Sequence, residues 1–233
     1  MEPDIFIITK LLSDPSRMHI LDILRMHILD ILMDGKAHTV NEIASFTKIK
    51  QHTVSYHLKL LTEAQVTTLQ TYGRFHYYSL KSAAIAEMLE FLSFYSPQRD
   101  VKSYKQHIHK KELKVARTCY DHIAGELGIS ITNYLLQENL LSESEKDFQL
   151  TEAGKSYFQR KLHIDTDELK KKKRKFCPKC LDWSERKNHV GGALGNALLE
   201  FFSEKQLVIP AQTPRSLTIT EKGKEFLEKE WGI

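Results

Sequence analysis

Residues 38–80 leave the chain few ways to fold. Thr39 and Glu42 have capping-box spacing, so a helix should open at residue 40, with Val40, Ile43 and Ala44 as its short apolar face. A turn at residues 47–49 leads to a second helix, where Val54, Leu58 and Leu61 recur at i, i+4 and i+7 as one buried stripe. Its other side carries Gln51, His52, Ser55, Tyr56 and Lys59, all able to hydrogen-bond and none gaining by burial. Residues 66–71 and 75–80 are then rich in β-branched and aromatic side chains. Tyr72-Gly73-Arg74 lies between them, and Gly73 permits the positive φ of a hairpin turn.

Two helices joined by a tight turn, the second with a polar outer face, meet what a major groove requires of an inserted helix. A hairpin with an arginine at its tip suits the negative potential of a minor groove. The competing reading is a helical hairpin and β-hairpin that only pack a core, or that serve protein–protein contact without DNA.

The runs Leu12-Ser13-Asp14-Pro15-Ser16-Arg17, Ile49-Lys50-Gln51-His52-Thr53-Val54-Ser55-Tyr56-His57-Leu58-Lys59-Leu60-Leu61 and Gly73-Arg74-Phe75-His76-Tyr77-Tyr78 resemble the ArsR/SmtB family of winged-helix repressors over about residues 4–93. The resemblance implies a homodimer on a palindromic double-stranded DNA operator, released by an effector that stays unknown. Carried over by position, Gln51, His52, Ser55 and Tyr56 face bases, while Thr53, Lys59 and Arg74 contact the backbone or minor groove. The chain departs from the family pattern in three places. Lys50 stands where a serine usually caps the recognition helix, residues 39–47 hold no cysteine, and residues 80–94 lack the acidic/His pattern of the family's C-terminal metal site. Metal sensing at the familiar positions is therefore not expected.

The formal net charge of +4 suits an anionic partner without requiring one. Three cysteines do not make a disulfide framework and fit a reducing cytosol. No basic segment followed by a cleavable apolar stretch opens the chain, and no apolar run is long enough for a bilayer, so a cytoplasmic protein with no membrane partner is expected.

Two repeats organise the remainder. Residues 17–24 are duplicated without change as residues 25–32, inside a helix expected from about residue 15 to residue 33, with Asp14 as cap and Pro15 in its first turn. Eight extra residues add about 12 Å and about 2.2 turns, rotating neighbouring faces by roughly 80°. The duplication is either absorbed at a helix end or leaves an altered or damaged regulator.

The second repeat is fainter. Cys119-Tyr120-Asp121-His122-Ile123-Ala124-Gly125 and Leu150-Thr151-Glu152-Ala153-Gly154-Lys155 are answered by Cys180-Leu181-Asp182-Trp183, His189-Val190-Gly191-Gly192 and Ile219-Thr220-Glu221-Lys222-Gly223-Lys224. Each copy reads as a helix, a polar turn, a strand-like segment and a closing helix capped by Thr151 or Thr220. The expected fold is mainly α with small β-hairpin wings (α+β), a winged helix-turn-helix followed by two winged-helix-like repeats. The expected domains are 1–95 for DNA binding, 96–116 as a linker or exposed helix, and 117–233 as repeats 117–165 and 176–233. The basic run at 170–175 is a solvated hinge or a source of phosphate contacts.

Cys177-Pro178-Lys179-Cys180 is one CxxC, half of a tetrahedral zinc site. Cys119 with His122 or His189 could complete it if the repeats pack face to face. Alternatively Cys177 or Cys180 is a redox switch, since Lys175 and Lys179 would favour thiolate. The plainer reading makes Cys119 and Cys180 small core residues at equivalent places. On that reading no metal and no cofactor are expected, and Cys119, His122, Cys177, Cys180 and His189 are sensor candidates only. His107-Ile108-His109 is a poor metal site, and Tyr120 and Trp183 are core residues or the lining of an effector pocket. No phosphate-cradling loop, nucleophile elbow or HExxH occurs, so no catalytic residue is assigned.

Overall fold

The computed structural model describes residues 28, 31–95 and 104–233. The doubled octapeptide lies outside the described residues apart from Ile28, Ile31 and Leu32, which are helical and buried. The chain forms two compact units, one ending at Ala86 and the other running from Glu87 to Ile233.

The first unit is built on β1 (His38–Thr39), α1 (Val40–Thr47), α2 (Gln51–Glu63), β2 (Thr67–Tyr72) and β3 (Phe75–Leu80). The strands form a sheet in the order β1-β3-β2, with Tyr72 opposite Phe75 across a two-residue turn in which Gly73 has φ +57°. Ile43, Ala44, Val54, Leu58, Leu61, Val66 and Leu80 fill its core, so the stripe expected on α2 is the buried one. The next helix, α3 (Ala83–Tyr95), crosses from the first unit into the second.

In the second unit α4 (Tyr104–Val115) turns Leu113 and the following Ala116 inward, so the described part of the segment expected as a linker or exposed helix, residues 104–116, is a helix with a buried edge at its end. Two runs of identical element order follow. The first is β4 (Arg117–Cys119), β5 (His122–Ala124), α5 (Gly125–Gln137), β6 (Leu141–Glu143), β7 (Phe148–Leu150) and α6 (Glu152–Lys161). After the short α7 (Thr166–Lys171) come β8 (Lys179–Leu181), β9 (Asn188–Val190), α8 (Gly192–Glu204), β10 (Val208–Pro210), β11 (Leu217–Ile219) and α9 (Glu221–Phe226), closed by a π-helical turn at Leu227–Trp231. Each pair of strands is an antiparallel hairpin. The segments expected as the start of a helix, around Cys119 and Cys180, are therefore hairpins. The helix begins only at Gly125 or Gly192, whose φ values of +78° and +67° suit glycine.

The runs interlock, with α8 packing on β5 and α5 on β9. They share one apolar core that includes Leu135, Phe158, Leu194 and Phe202. Trp231 stacks on Tyr134 at 4.9 Å and donates its indole N–H to the Tyr157 hydroxyl at 2.7 Å. The caps repeat as well: Thr151 Oγ1 accepts from Gly154 N at 2.9 Å and Thr220 Oγ1 from Gly223 N at 3.0 Å. Each hydroxyl also donates to a carbonyl of the preceding turn, Asn139 at 2.7 Å and Gln206 at 2.8 Å. Replacing either threonine by alanine should lower stability by about 1 kcal/mol, while serine should retain most of it. Thermal melts of the four single variants test this, and equal melting of the alanine and serine forms would contradict the capping role.

Candidate nucleic-acid interface and thiol–imidazole cluster

The interface is positioned by local chemistry. Thr39 Oγ1 accepts from Glu42 N at 3.3 Å, and Glu42 Oε2 accepts from Thr39 N at 2.7 Å, so the capping box closes. That backbone hydrogen bond is the main reason the Glu42 carboxyl titrates below its ordinary value. Thr47 Oγ1 donates to Ile43 O at 2.8 Å and accepts from Ile49 N at 3.3 Å, and Lys48 takes a left-handed conformation, which together make the tight turn. Lys50 occupies the N-cap of α2 and supplies no side-chain hydrogen bond, as a side chain without an acceptor must.

Val54, His57, Leu58 and Leu61 of α2 point into the core, whereas Gln51, His52, Ser55, Tyr56 and Lys59 are exposed and Thr53 is half-buried. Tyr56 is 54% exposed despite its size. Arg74 is exposed at the hairpin tip, its guanidinium 5.3 Å from the Phe75 ring centroid. All seven residues singled out for DNA contact thus lie on α2 or the wing. Among the described residues Lys59 pairs only with Glu63, exposed and 3.9 Å away, which leaves it available to other anions.

The second unit holds a different constellation. In β4–β5, Cys119 stands directly across from His122, and in β8–β9 Cys180 stands across from His189. Facing partners on one side of a hairpin bring their side chains together. The two hairpins in turn bring the pairs together. Among the described residues, the donor atoms of Cys119, His122, Cys180 and His189 all lie within 4.8 Å of one another. The sulfurs are 3.7 Å apart and the two Nε2 atoms 3.1 Å apart. Cys119, His122 and His189 are buried, and Cys180 is partly buried.

Behind each histidine stands an aspartate. His122 Nδ1 is 3.4 Å from Asp121 Oδ1, and His189 Nδ1 is 3.6 Å from Asp182 Oδ2. Each aspartate is gripped by an arginine: Asp121 by Arg174, and Asp182 by Arg117 at 2.9 Å. Arg117 and Asp182 are both fully buried. Gly125 N (2.7 Å) also donates to Asp182 Oδ2, while Ser184 N (2.9 Å), Ser184 Oγ (2.7 Å) and Glu185 N (3.0 Å) donate to Oδ1.

Crowding spreads the titrations apart. Burial pushes the His122 imidazole down, but Cys119 and Asp121 outweigh it and raise the group to about 9. Burial and then the neighbouring His122 push His189 well below its ordinary value. The hydrogen bond to Cys180, followed by burial, pushes the Cys119 thiol up. Burial opposes ionisation of Asp182, yet Arg117 and His189 hold its carboxyl well below the usual range.

Sequence reasoning pairs Cys177 with Cys180, and the structure separates them. Cys177 is buried, its carbonyl accepts from Phe148 N at 2.9 Å, and its sulfur is not among the four clustered donors. Burial and then Asp147 push its thiol up to about 12, opposite to the activation expected from the flanking lysines. Lys179 is bound to Glu143 at 2.7 Å and lies over the Phe148 ring. Trp183 is covered by the Arg117 guanidinium at 4.6 Å from its centroid, and His107 sits on α4. Sequence reasoning assigns no role to Arg117, Asp121, Arg174 or Asp182. The available signal is the Cys-x-Asp common to the two runs, Cys119-Tyr120-Asp121 and Cys180-Leu181-Asp182.

A capped helix, a tight turn, a second helix with an open polar face and an adjoining two-stranded wing define a winged helix-turn-helix DNA-binding protein. A family model described as a helix-turn-helix domain matches residues 12–70. YdfF of Bacillus subtilis, described as an uncharacterized HTH-type transcriptional regulator, is 39% identical over 233 residues, 100% of this chain and 99% of the relative. The transcriptional repressor SdpR of Bacillus subtilis is 31% identical over 36% of this chain and 82% of its own length. An arsenical resistance operon repressor of Staphylococcus aureus is 30% identical over 37% of this chain and 74% of its own length. The chain belongs to the ArsR-type helix-turn-helix transcriptional regulators, a non-enzymatic class. Among the described residues no helix is long and apolar enough to cross a membrane.

Proposed function

We propose that the chain is a cytoplasmic homodimeric repressor that occupies a palindromic operator and leaves it when a signal reaches the protein. The observation that carries this reading is the division of α2, with Val54, Leu58 and Leu61 buried and Gln51, His52, Ser55 and Tyr56 open to solvent. The four exposed side chains read base edges in the major groove. Thr53, Lys59 and Arg74 hold the phosphate backbone or enter the minor groove, and two copies straddle half-sites about one helical turn apart. The repressor role draws on two relatives described as repressors.

The test is a gel shift of the purified full chain on the DNA upstream of its own gene, with a scrambled duplex as competitor. Arg74→Ala should weaken binding to both duplexes. It should also flatten the dependence of log K on log salt by about 0.9 for each phosphate no longer neutralised. An unchanged slope would remove the wing from the interface. Failure of the unaltered protein to bind duplex at low ionic strength would remove DNA recognition altogether and leave a protein-interaction module.

A further inference from the structure

We propose that Cys119, His122, Cys180 and His189 form a closed tetrahedral zinc site that joins the two halves of the second unit. The proposal stands apart from the DNA-binding reading, and each can fail without the other.

The geometry is that of a metal tetrahedron. With Zn–S about 2.3 Å and Zn–N about 2.0–2.1 Å, the ideal S···S edge is about 3.8 Å and the N···N edge about 3.3–3.4 Å. The sulfurs stand 3.7 Å apart and the Nε2 atoms 3.1 Å apart, close to both edges. The four donors lie within 4.8 Å of one another, and the sulfur–nitrogen edges must close to about 3.6 Å, a shift of up to about 1 Å that side-chain rotation supplies. A disulfide would need the sulfurs to close to about 2.05 Å.

The donor set selects the ion. Two thiolates with two imidazoles suit zinc. Calcium and magnesium require oxygen ligands, and an iron–sulfur cluster with two cysteines and two histidines puts the pairs on two different irons, whereas these four donors converge on one point. Binding Zn2+ expels the two thiol protons and any proton held on the ligating imidazole nitrogens, and a dication with two thiolates and two neutral imidazoles carries no net charge. Such a group can be buried where an isolated ion cannot.

The surroundings are those of a ligand set. Both histidines turn Nε2 to the centre and Nδ1 to a carboxylate, the arrangement that fixes the tautomer of a zinc-bound imidazole. His189 Nδ1 is buried and finds no hydrogen-bond partner, since Asp182 Oδ2 is 3.6 Å away. Metal coordination at Nε2 places the proton on that nitrogen, facing that oxygen. Each run of elements contributes one cysteine, one histidine and one supporting aspartate from the same hairpin positions, so neither run can close the site alone.

The experiment uses the full chain, purified without chelator and with a phosphine reductant. Metal content should be about one zinc per chain. Replacement by Co2+ should give visible bands of a tetrahedral ion and a near-ultraviolet thiolate charge-transfer band. Cys180→Ser should lose the metal or halve the charge-transfer intensity, and Cys177→Ser should retain both. Should Cys180→Ser fail to fold by circular dichroism, Asp121→Asn provides the second variant. Asp121 is a positioning residue, and its replacement should weaken Co2+ binding by about tenfold or more while the band positions persist. The proposal is overturned by metal-free protein that gives no cobalt spectrum, by a Cys119–Cys180 disulfide in the purified chain, or by a Cys177→Ser variant that loses as much metal as Cys180→Ser.

Discussion

Asp182→Ala should destabilise the second unit by about 3–5 kcal/mol, the loss expected when one partner of a buried ion pair is removed. Arg117 is left fully buried with its charge unanswered, and the N–H groups of Gly125, Ser184 and Glu185 lose their acceptor. Trp183 lies over one face of the guanidinium and adds no counter-charge. Among the described residues Arg117 keeps Leu113 O at 3.0 Å and Ser184 Oγ at 3.1 Å as hydrogen-bond acceptors, neither of them charged. Replacing both partners, as Arg117→Met with Asp182→Leu, should recover a large part of the loss, since neither buried charge then needs an answer. Urea titrations followed by tryptophan fluorescence report on this unit alone, because both tryptophans of the chain, Trp183 and Trp231, belong to it. All proteins should be compared in EDTA, so that metal affinity does not enter the comparison. A single variant within about 1 kcal/mol of the unaltered chain, or a double variant no better than the single, would show that the pair is not the keystone that its burial implies.

The contrast between the units shows what kind of information a sequence carries locally. In the first unit each feature is set by neighbours a few residues away: Glu42 reaches Thr39, Val54 and Leu58 are one turn apart, and Gly73 makes its own turn. Residues 51–61 can therefore be assigned to inner and outer faces from sequence alone. In the second unit the strands are three residues long, too short for an alternation to register, and the turn after Cys119 uses Tyr120 at φ +59°, where a glycine or asparagine would have announced it. The sequence pattern therefore suggests a helix where a hairpin stands. The cysteine pairing goes astray for the same reason. Cys177 and Cys180 are close in sequence, but the partner of Cys180 is Cys119, 61 residues away. Only the packing of α8 on β5 and α5 on β9 brings them together. The shared Cys-x-Asp and the His-x-x-Gly of each run are visible in the sequence, yet their meaning lies in a contact between the two runs. The basic run likewise reads as a solvated hinge or a source of phosphate contacts, but its Arg174 pairs with Asp121.

Replacing Gln51, Ser55 and Tyr56 together by alanine should erase the preference for operator over scrambled duplex while shifting the melt only slightly. Each base-edge interaction removed is worth about 1–3 kcal/mol of discrimination. The three side chains are exposed and fill no part of the core, so their removal should alter folding by no more than about 0.5 kcal/mol each. Leu58→Ala is the opposite control. Leu58 is fully buried one position from His57, so its truncation should cost about 2–5 kcal/mol and reduce binding to every duplex alike, by unfolding the helix that carries the face. Lys59→Ala falls between these cases, weakening both duplexes equally at constant stability, since a phosphate contact carries no base identity. Competition gel shifts with matched thermal melts separate the three patterns. If the triple variant loses operator and scrambled duplex in equal proportion, the outer face of α2 holds DNA without reading it, and discrimination must come from the wing or from operator shape.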